Sequence, residues 1–259
     1  MNAASAFSYA CNRCGLCCRD KVITLAPYDL IRLARAAGIT TAQARARYTA
    51  RRGSLLRFAP GGGCSALEGA RCTVHRGRPL ACRLYPLGLE RKPLRDGSGL
   101  AEHFVRLEPA AGSRGVYGEA GTTAEFLAEQ EVAPYLDAGA RYHALAADLG
   151  RRVDELVDFE KVEPREFWRC AVREALAESN YDPNPLIDAL FDPDGLGCAR
   201  ADPAQTVEAH LASLRIMADA QRDGACVAAA AMMLSASLGY VGGGTGGGGG
   251  GACLTRASI

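Results

Sequence analysis

Cys11-Asn12-Arg13-Cys14-Gly15-Leu16-Cys17-Cys18 places four thiols within eight residues. A second group follows in Gly61-Gly62-Gly63-Cys64 and Arg71-Cys72-Thr73-Val74-His75-Arg76-Gly77-Arg78-Pro79-Leu80-Ala81-Cys82. Seven of the eleven cysteines therefore fall in the first third of the chain. Thiolates two residues apart can turn toward one ion, the intervening pair forming the turn. Structural cysteines scatter through a core, whereas these are clustered. The density points to metal ligation, with disulfides as the competing reading. The odd count of eleven cysteines speaks against full pairing.

Adjacent side chains diverge, so Cys17 and Cys18 serve one tetrahedral ion poorly and are expected to feed two metal positions, unless one bridges or is spare. Cys11, Cys14, Cys17, Cys18, Cys64, Cys72, Cys82 and His75 make eight candidate donors. Eight donors suit two four-coordinate zinc ions. They also suit a four-cysteine iron–sulfur cluster with ligands left over. Soft thiol ligands argue against magnesium and calcium. His75 is either a ligand or a hydrogen-bonding neighbour of the ligands. Arg13, Arg19, Lys21, Arg71, Arg76, Arg78 and Arg83 lie close to the cysteines and would offset thiolate charge. Cys170, Cys198 and Cys226 have no close partner in sequence and read as packing residues.

The two cysteine motifs resemble the YkgJ-type cysteine-cluster family, also called the CxxCxxCC zinc- or iron-chelating domain. The resemblance rests on Cys11-x2-Cys14-Gly-x-Cys17-Cys18, then Cys64-x7-Cys72-x2-His75-x2-Arg78-Pro79-x2-Cys82-x2-Tyr85-Pro86. It covers roughly residues 9 to 107. The stretch TTAEFLAEQEVAPYLDAGARYHAL, residues 122 to 145, is similar to a helical segment that often follows in that family. The resemblance implies chelation of iron or zinc. It also implies kinship with proteins similar to flagellin lysine N-methylase, so a cluster-dependent enzyme is an alternative. A zinc-stapled protein-interaction module is another. Whether the chain is an enzyme stays open, because no recognisable acid–base pair, methyl-donor loop, Walker loop or dinucleotide fingerprint is present.

Around these motifs the sequence reads as mostly α, with a small irregular or α+β cysteine-rich metal-binding module. Residues 1–110 form the module, 111–240 a helical region packed on it, and 241–259 a disordered glycine-rich tail. Lys21 to Leu25 and residues 54–58 read as short strands. Pro27 opens a helix that Gly38 ends, and Thr40 or Thr41 caps a second. Residues 87–107 read as a hairpin around Asp96-Gly97, and Leu107 to Gly121 as a loop. Further helices are expected near 123–131, 134–149, 164–179, 184–191 and 203–222. Ala225 to Val241 reads as a buried or weakly formed helix, since serine and glycine interrupt it.

The 259 residues carry a formal net charge of +1, which gives no pull toward nucleic acid or anionic surfaces. Only three of the 30 basic residues are lysine. The arginines spread along the whole chain, which fits a codon bias better than a nucleic-acid patch. The N-terminus lacks a basic start and an apolar run, so a secretory signal is not expected. A cytoplasmic location is expected, where thiols stay reduced. No apolar stretch reaches the length of a membrane span. The expected partner is a metal ion or cluster; a protein partner is not specified by the sequence.

Overall fold

The structure, a computed structural model, describes residues 1–12, 14–93, 100–110, 112–177 and 183–239. The glycine-rich tail and the Asp96-Gly97 turn lie outside the described residues.

Local signals set the first helices. Helix α1 spans Pro27–Ala37, with proline at the first position, where a missing N–H costs nothing. The Asp29 carboxylate reaches back 2.7 Å to accept from the N–H of Ala26. Leu30, Ile31, Leu33 and Ala34 are buried at helical spacing. Gly38, at φ 67°, turns the chain out of the helix. Helix α2 spans Thr41–Tyr48, and Thr40 and Gln43 form a reciprocal cap.

The strands are short. Lys21 to Leu25 is extended but pairs only locally: Ile23 and Ser54 lend their carbonyls to Leu56 and Leu25. Strand β2, Thr49–Ala50, pairs with β3, Leu55–Leu56. Strand β4, Leu67–Glu68, pairs with β5, Arg71–Cys72. A short helix α3, Leu80–Leu84, carries Cys82. Strands β6, Leu87–Pro93, and β7, Leu100–Arg106, then run antiparallel, with Leu87 opposite Arg106.

The loop expected from Leu107 to Gly121 is corrected in its second half. Strand β8, Val116–Thr122, pairs antiparallel with β1, Ala6–Ala10, with Tyr9 opposite Tyr117. The glycines there suggested loop, but Gly115 is a site of close approach: a Cβ would lie 1.9 Å from the Tyr9 hydroxyl.

The remaining helices follow the expected positions. Helix α4 is Thr123–Glu129 and α5 is Ala133–Leu156. Helix α6 is Pro164–Leu176, α7 Pro185–Leu190, α8 Pro203–Ala220 and α9 Gly224–Ser237. Asn184, Asp202 and Asp223 cap the last three through their side chains. Helix α5 outruns its expected end because Leu149 and Val153 prolong its buried stripe beyond Gly150. Helix α9 is the buried outcome of the two expected: Val227, Ala228, Ala229 and Ala230 have no exposed surface. Its alanines let α5 and α6 lie close against it.

One large hydrophobic cluster takes members from α1, α2, α5, α6, α7, α8 and α9. A small second cluster, Phe7, Leu87 and Phe126, holds the β1–β8 pair against α4. No helix among the described residues is long and apolar enough to cross a membrane.

Candidate metal centre

The two cysteine groups meet through the backbone. The N–H of Cys64 donates to the carbonyl of Cys18 at 3.0 Å, and that of Asp20 to the carbonyl of Gly62 at 2.9 Å. Arg19 and Gly63 form an antiparallel bridge between them. The glycine turn before Cys64 thus docks the second group on the first. Farther on, the tight turn His75–Gly77 rests on α1. Gly77 permits that contact, since a Cβ there would lie 2.1 Å from the Arg32 carbonyl oxygen.

Six of the seven clustered cysteines line one cavity of about 680 Å³: Cys11, Cys17, Cys18, Cys64, Cys72 and Cys82, together with His75. Cys11, Cys17, Cys18 and Cys72 also border a neighbouring hollow of about 240 Å³. The sulfurs ring a space rather than a point. Among the described residues no three cysteine, histidine or acidic side chains are drawn tightly enough together to hold an ion. Cys14 does not line either hollow. Its sulfur accepts from the backbone N–H of Arg114 and Leu16, and these hydrogen bonds lower its pKa. Cys170 is exposed, while Cys198 and Cys226 are buried elsewhere.

The sulfurs influence one another strongly. Cys17 and Cys18 lie 3.9 Å apart. A hydrogen bond from Cys18 holds Cys17 down to about 7, with the charge of Lys21 assisting, and the same contact pushes Cys18 up. Burial raises Cys64, Cys72 and Cys82, and for Cys82 the nearby Cys64, Cys72, Asp29 and Cys17 add to it. A thiol so disfavoured as a bare anion is stabilised as a metal ligand, where the cation supplies the missing charge.

The surrounding cations divide into two sets. Arg78 lines the cavity. One of its Nη atoms donates to the His75 carbonyl at 2.9 Å and faces His75 Nδ1 at 3.2 Å; the other donates to Gln130 at 2.5 Å. Arg83, by contrast, is 2% exposed and does not line the cavity. It donates to the carbonyls of Arg76, Arg78 and Gln130 and lies over the ring of Tyr135. Lys21 borders the large cavity and Arg71 the small one. Arg13 lies outside the described residues.

The rest of the wall was not singled out in the sequence. Tyr9, Phe58, Phe126 and Gln130 all line the large cavity. Sequence spacing marks three of these four as sharing a face with an apolar neighbour but does not locate the cavity. Phe7 and Tyr9 alternate along β1 just before Cys11, and Phe126 and Gln130 are four residues apart on one side of the α4 segment.

Residues 10–99 match the family described as "CxxCxxCC: Putative zinc- or iron-chelating domain". The chain carries a CxxCxxCC domain. The match encompasses both cysteine groups and stops short of the helical segment at 122–145. No curated protein and no solved structure matches the chain significantly. The donor set fits what this domain family is described as chelating: a cavity walled by thiols and an imidazole suits zinc or iron and not the oxygen-seeking ions.

Proposed function

We propose that the CxxCxxCC domain of this chain holds an iron–sulfur cluster. The observation that carries this reading is the ring of six cysteines around one cavity of about 680 Å³. Structural zinc sites close four donors on one ion. Donors spread around a volume suit a polynuclear centre whose own sulfides fill the space between irons. Cys11, Cys17, Cys18, Cys64, Cys72 and Cys82 are the ligands, with Cys14 and His75 joining on loading. Cys17 and Cys18 serve different metal positions. His75 Nδ1 faces the Arg78 guanidinium, which can only donate, so the neutral ring carries its proton on Nε2 and ligates only once that contact is released.

In this reading the bound centre supplies electron transfer or an electrophilic metal site. The chain's own residues bind it, shield it from water with Tyr9, Phe58 and Phe126, and balance its charge with Arg78 and Lys21. Residues 1–110 act as the metal module and 111–240 as a helical layer that supports it. The protein works in the cytoplasm.

The test is full-length protein made with iron and sulfide available and purified without oxygen. It should be brown, absorb broadly in the visible and contain acid-labile sulfide. Colourless protein with about two zinc ions per chain and no labile sulfide would overturn the cluster in favour of a zinc centre.

A further inference from the structure

The sequence predicts divergent side chains for two adjacent cysteines. The structure instead brings the Sγ of Cys17 within 3.9 Å of the Sγ of Cys18. Both sit on one tight turn, Leu16–Cys18, which the chain enters through Gly15 at φ 74°, a conformation that favours glycine. The N–H of Cys18 closes this turn on the Gly15 carbonyl at 3.2 Å, and the Cys18 carbonyl holds the N–H of Cys64 at 3.0 Å. Two backbone bonds thus fix the pair in place. Both residues are half-buried. Both border the large cavity and the small hollow alike, so a small solute in either space meets the pair.

Two thiols in contact have a second chemistry beside metal ligation, which is oxidation to a disulfide. We propose that Cys17 and Cys18 form a reversible disulfide with each other on meeting a low-molecular-weight disulfide, and that this bond closes the site to metal. One cysteine thiolate attacks a sulfur of the small disulfide, expels one thiolate and leaves a mixed disulfide. The neighbouring cysteine gives its proton to water, attacks the protein sulfur of that bond and expels the second thiolate. The protein loses two electrons and two protons, and the small disulfide becomes two thiols. Adjacent Cα atoms stand about 3.8 Å apart across a trans peptide, closer than the roughly 4.4–6.8 Å usual for disulfides. The bond is therefore strained and reopens readily with a thiol, which suits a switch and not a staple. Cys17 and Cys18 are read above as ligands to different metal positions, so one bond withdraws a donor from each. That consequence rests on the metal reading; the bond itself does not.

Glutathione disulfide is the probe, added to full-length protein stripped of metal with a chelator. Mass spectrometry should show the loss of two hydrogens with no glutathione retained, and fragmentation should place the bond between Cys17 and Cys18. Most metal uptake should be lost, and dithiothreitol should restore it. Cys18→Ser should instead keep one glutathione on Cys17, because no neighbour remains to displace it. The wild-type mapping decides the matter by itself if that variant does not fold. Unreacted thiols, a disulfide between any other two cysteines, glutathione retained on the wild-type pair, or unchanged metal uptake by the oxidised protein would each overturn the proposal. A mapped Cys17–Cys18 bond in a protein whose reduced form takes up no metal would uphold the disulfide chemistry and count against the metal reading instead.

Discussion

The carbonyl of Cys18 accepts the N–H of Cys64 at 3.0 Å, so the last cysteine of the first motif and the first cysteine of the second are joined directly through their backbones. This junction brings the two halves of the site into register. Its neighbours are short bridges and glycine turns rather than long ladders, so little regular structure supports it. The ligands themselves should supply what the backbone lacks.

Removal of the metal should therefore lower thermal stability. A ligand present at a hundred times its dissociation constant contributes about 2.7 kcal/mol. For a chain of this size that corresponds to a drop of roughly 5–10 °C in melting temperature. Scanning calorimetry before and after treatment with a strong chelator checks it. Identical melting curves would mean that the metal does not bind the folded site.

Arg83 should matter more for stability than any other cation near the cysteines. Its guanidinium satisfies three backbone carbonyls and ties α3 to the Gln130–Glu131 turn, where Glu131 Oε2 lies 3.3 Å away. Arg83→Ala strands those acceptors and is expected to cost about 1–3 kcal/mol. Arg83→Lys should recover only part, because an ammonium cannot span the fork. Urea denaturation of both variants beside the wild type measures the two losses.

Two buried groups should give the metal-free protein opposing responses to acid. Burial raises Asp29 from 3.8 to about 6. The folded state then holds that proton more tightly than the unfolded chain, so this group adds stability as pH falls through about 6 toward 4. Burial pushes His210 from 6.5 down to about 4. Its Nδ1 lies 2.7 Å from the Tyr142 hydroxyl and its Nε2 2.9 Å from the Ala189 carbonyl, so the neutral ring accepts from the tyrosine and donates to the carbonyl. Here the unfolded chain binds the proton more tightly, and stability is lost as pH falls through 6.5 toward 4. Each effect is roughly 3 kcal/mol over its window, so the two nearly cancel. Relative to the wild type, His210→Gln should gain stability between pH 6 and 4, and Asp29→Asn should lose it. Denaturant midpoints across that range decide the signs.

The parts of this fold legible in the sequence are those fixed by neighbours in the chain. Pro27, Gly38 and Thr40 mark helix ends through their own backbone chemistry, and the structure places caps at each. The β1–β8 pairing was hidden because its two strands lie at opposite ends of the first half of the chain. Gly115, just before β8, moreover makes room for Tyr9 rather than for a turn. The candidate ligands were legible as types at fixed spacings. Their surroundings were not: Tyr9, Phe126 and Gln130 reach the cavity through packing between distant segments. Arg83 reads in sequence as one more cation beside a thiol, and only its buried bonds reveal a structural role.

The last expectation separates the cysteines from one another. Cys82 lines the large cavity and is strongly disfavoured as an unpartnered thiolate by burial, with its neighbours adding to it. Cys14 lies outside the hollows, its sulfur engaged by the N–H groups of Arg114 and Leu16. Cys82→Ser should therefore abolish most metal binding and the stability linked to it. Cys14→Ser should lower metal content by a smaller step, because loading must first draw Cys14 inward from those backbone bonds. Cys253→Ser, in the glycine-rich segment, should change neither quantity. Metal per chain and melting temperature, measured on the three variants purified in parallel without oxygen, give the ranking. Equal damage from Cys253→Ser would refute the assignment of the site to the two clustered motifs. Equal damage from Cys14→Ser and Cys82→Ser would show instead that Cys14 is as central a ligand as Cys82.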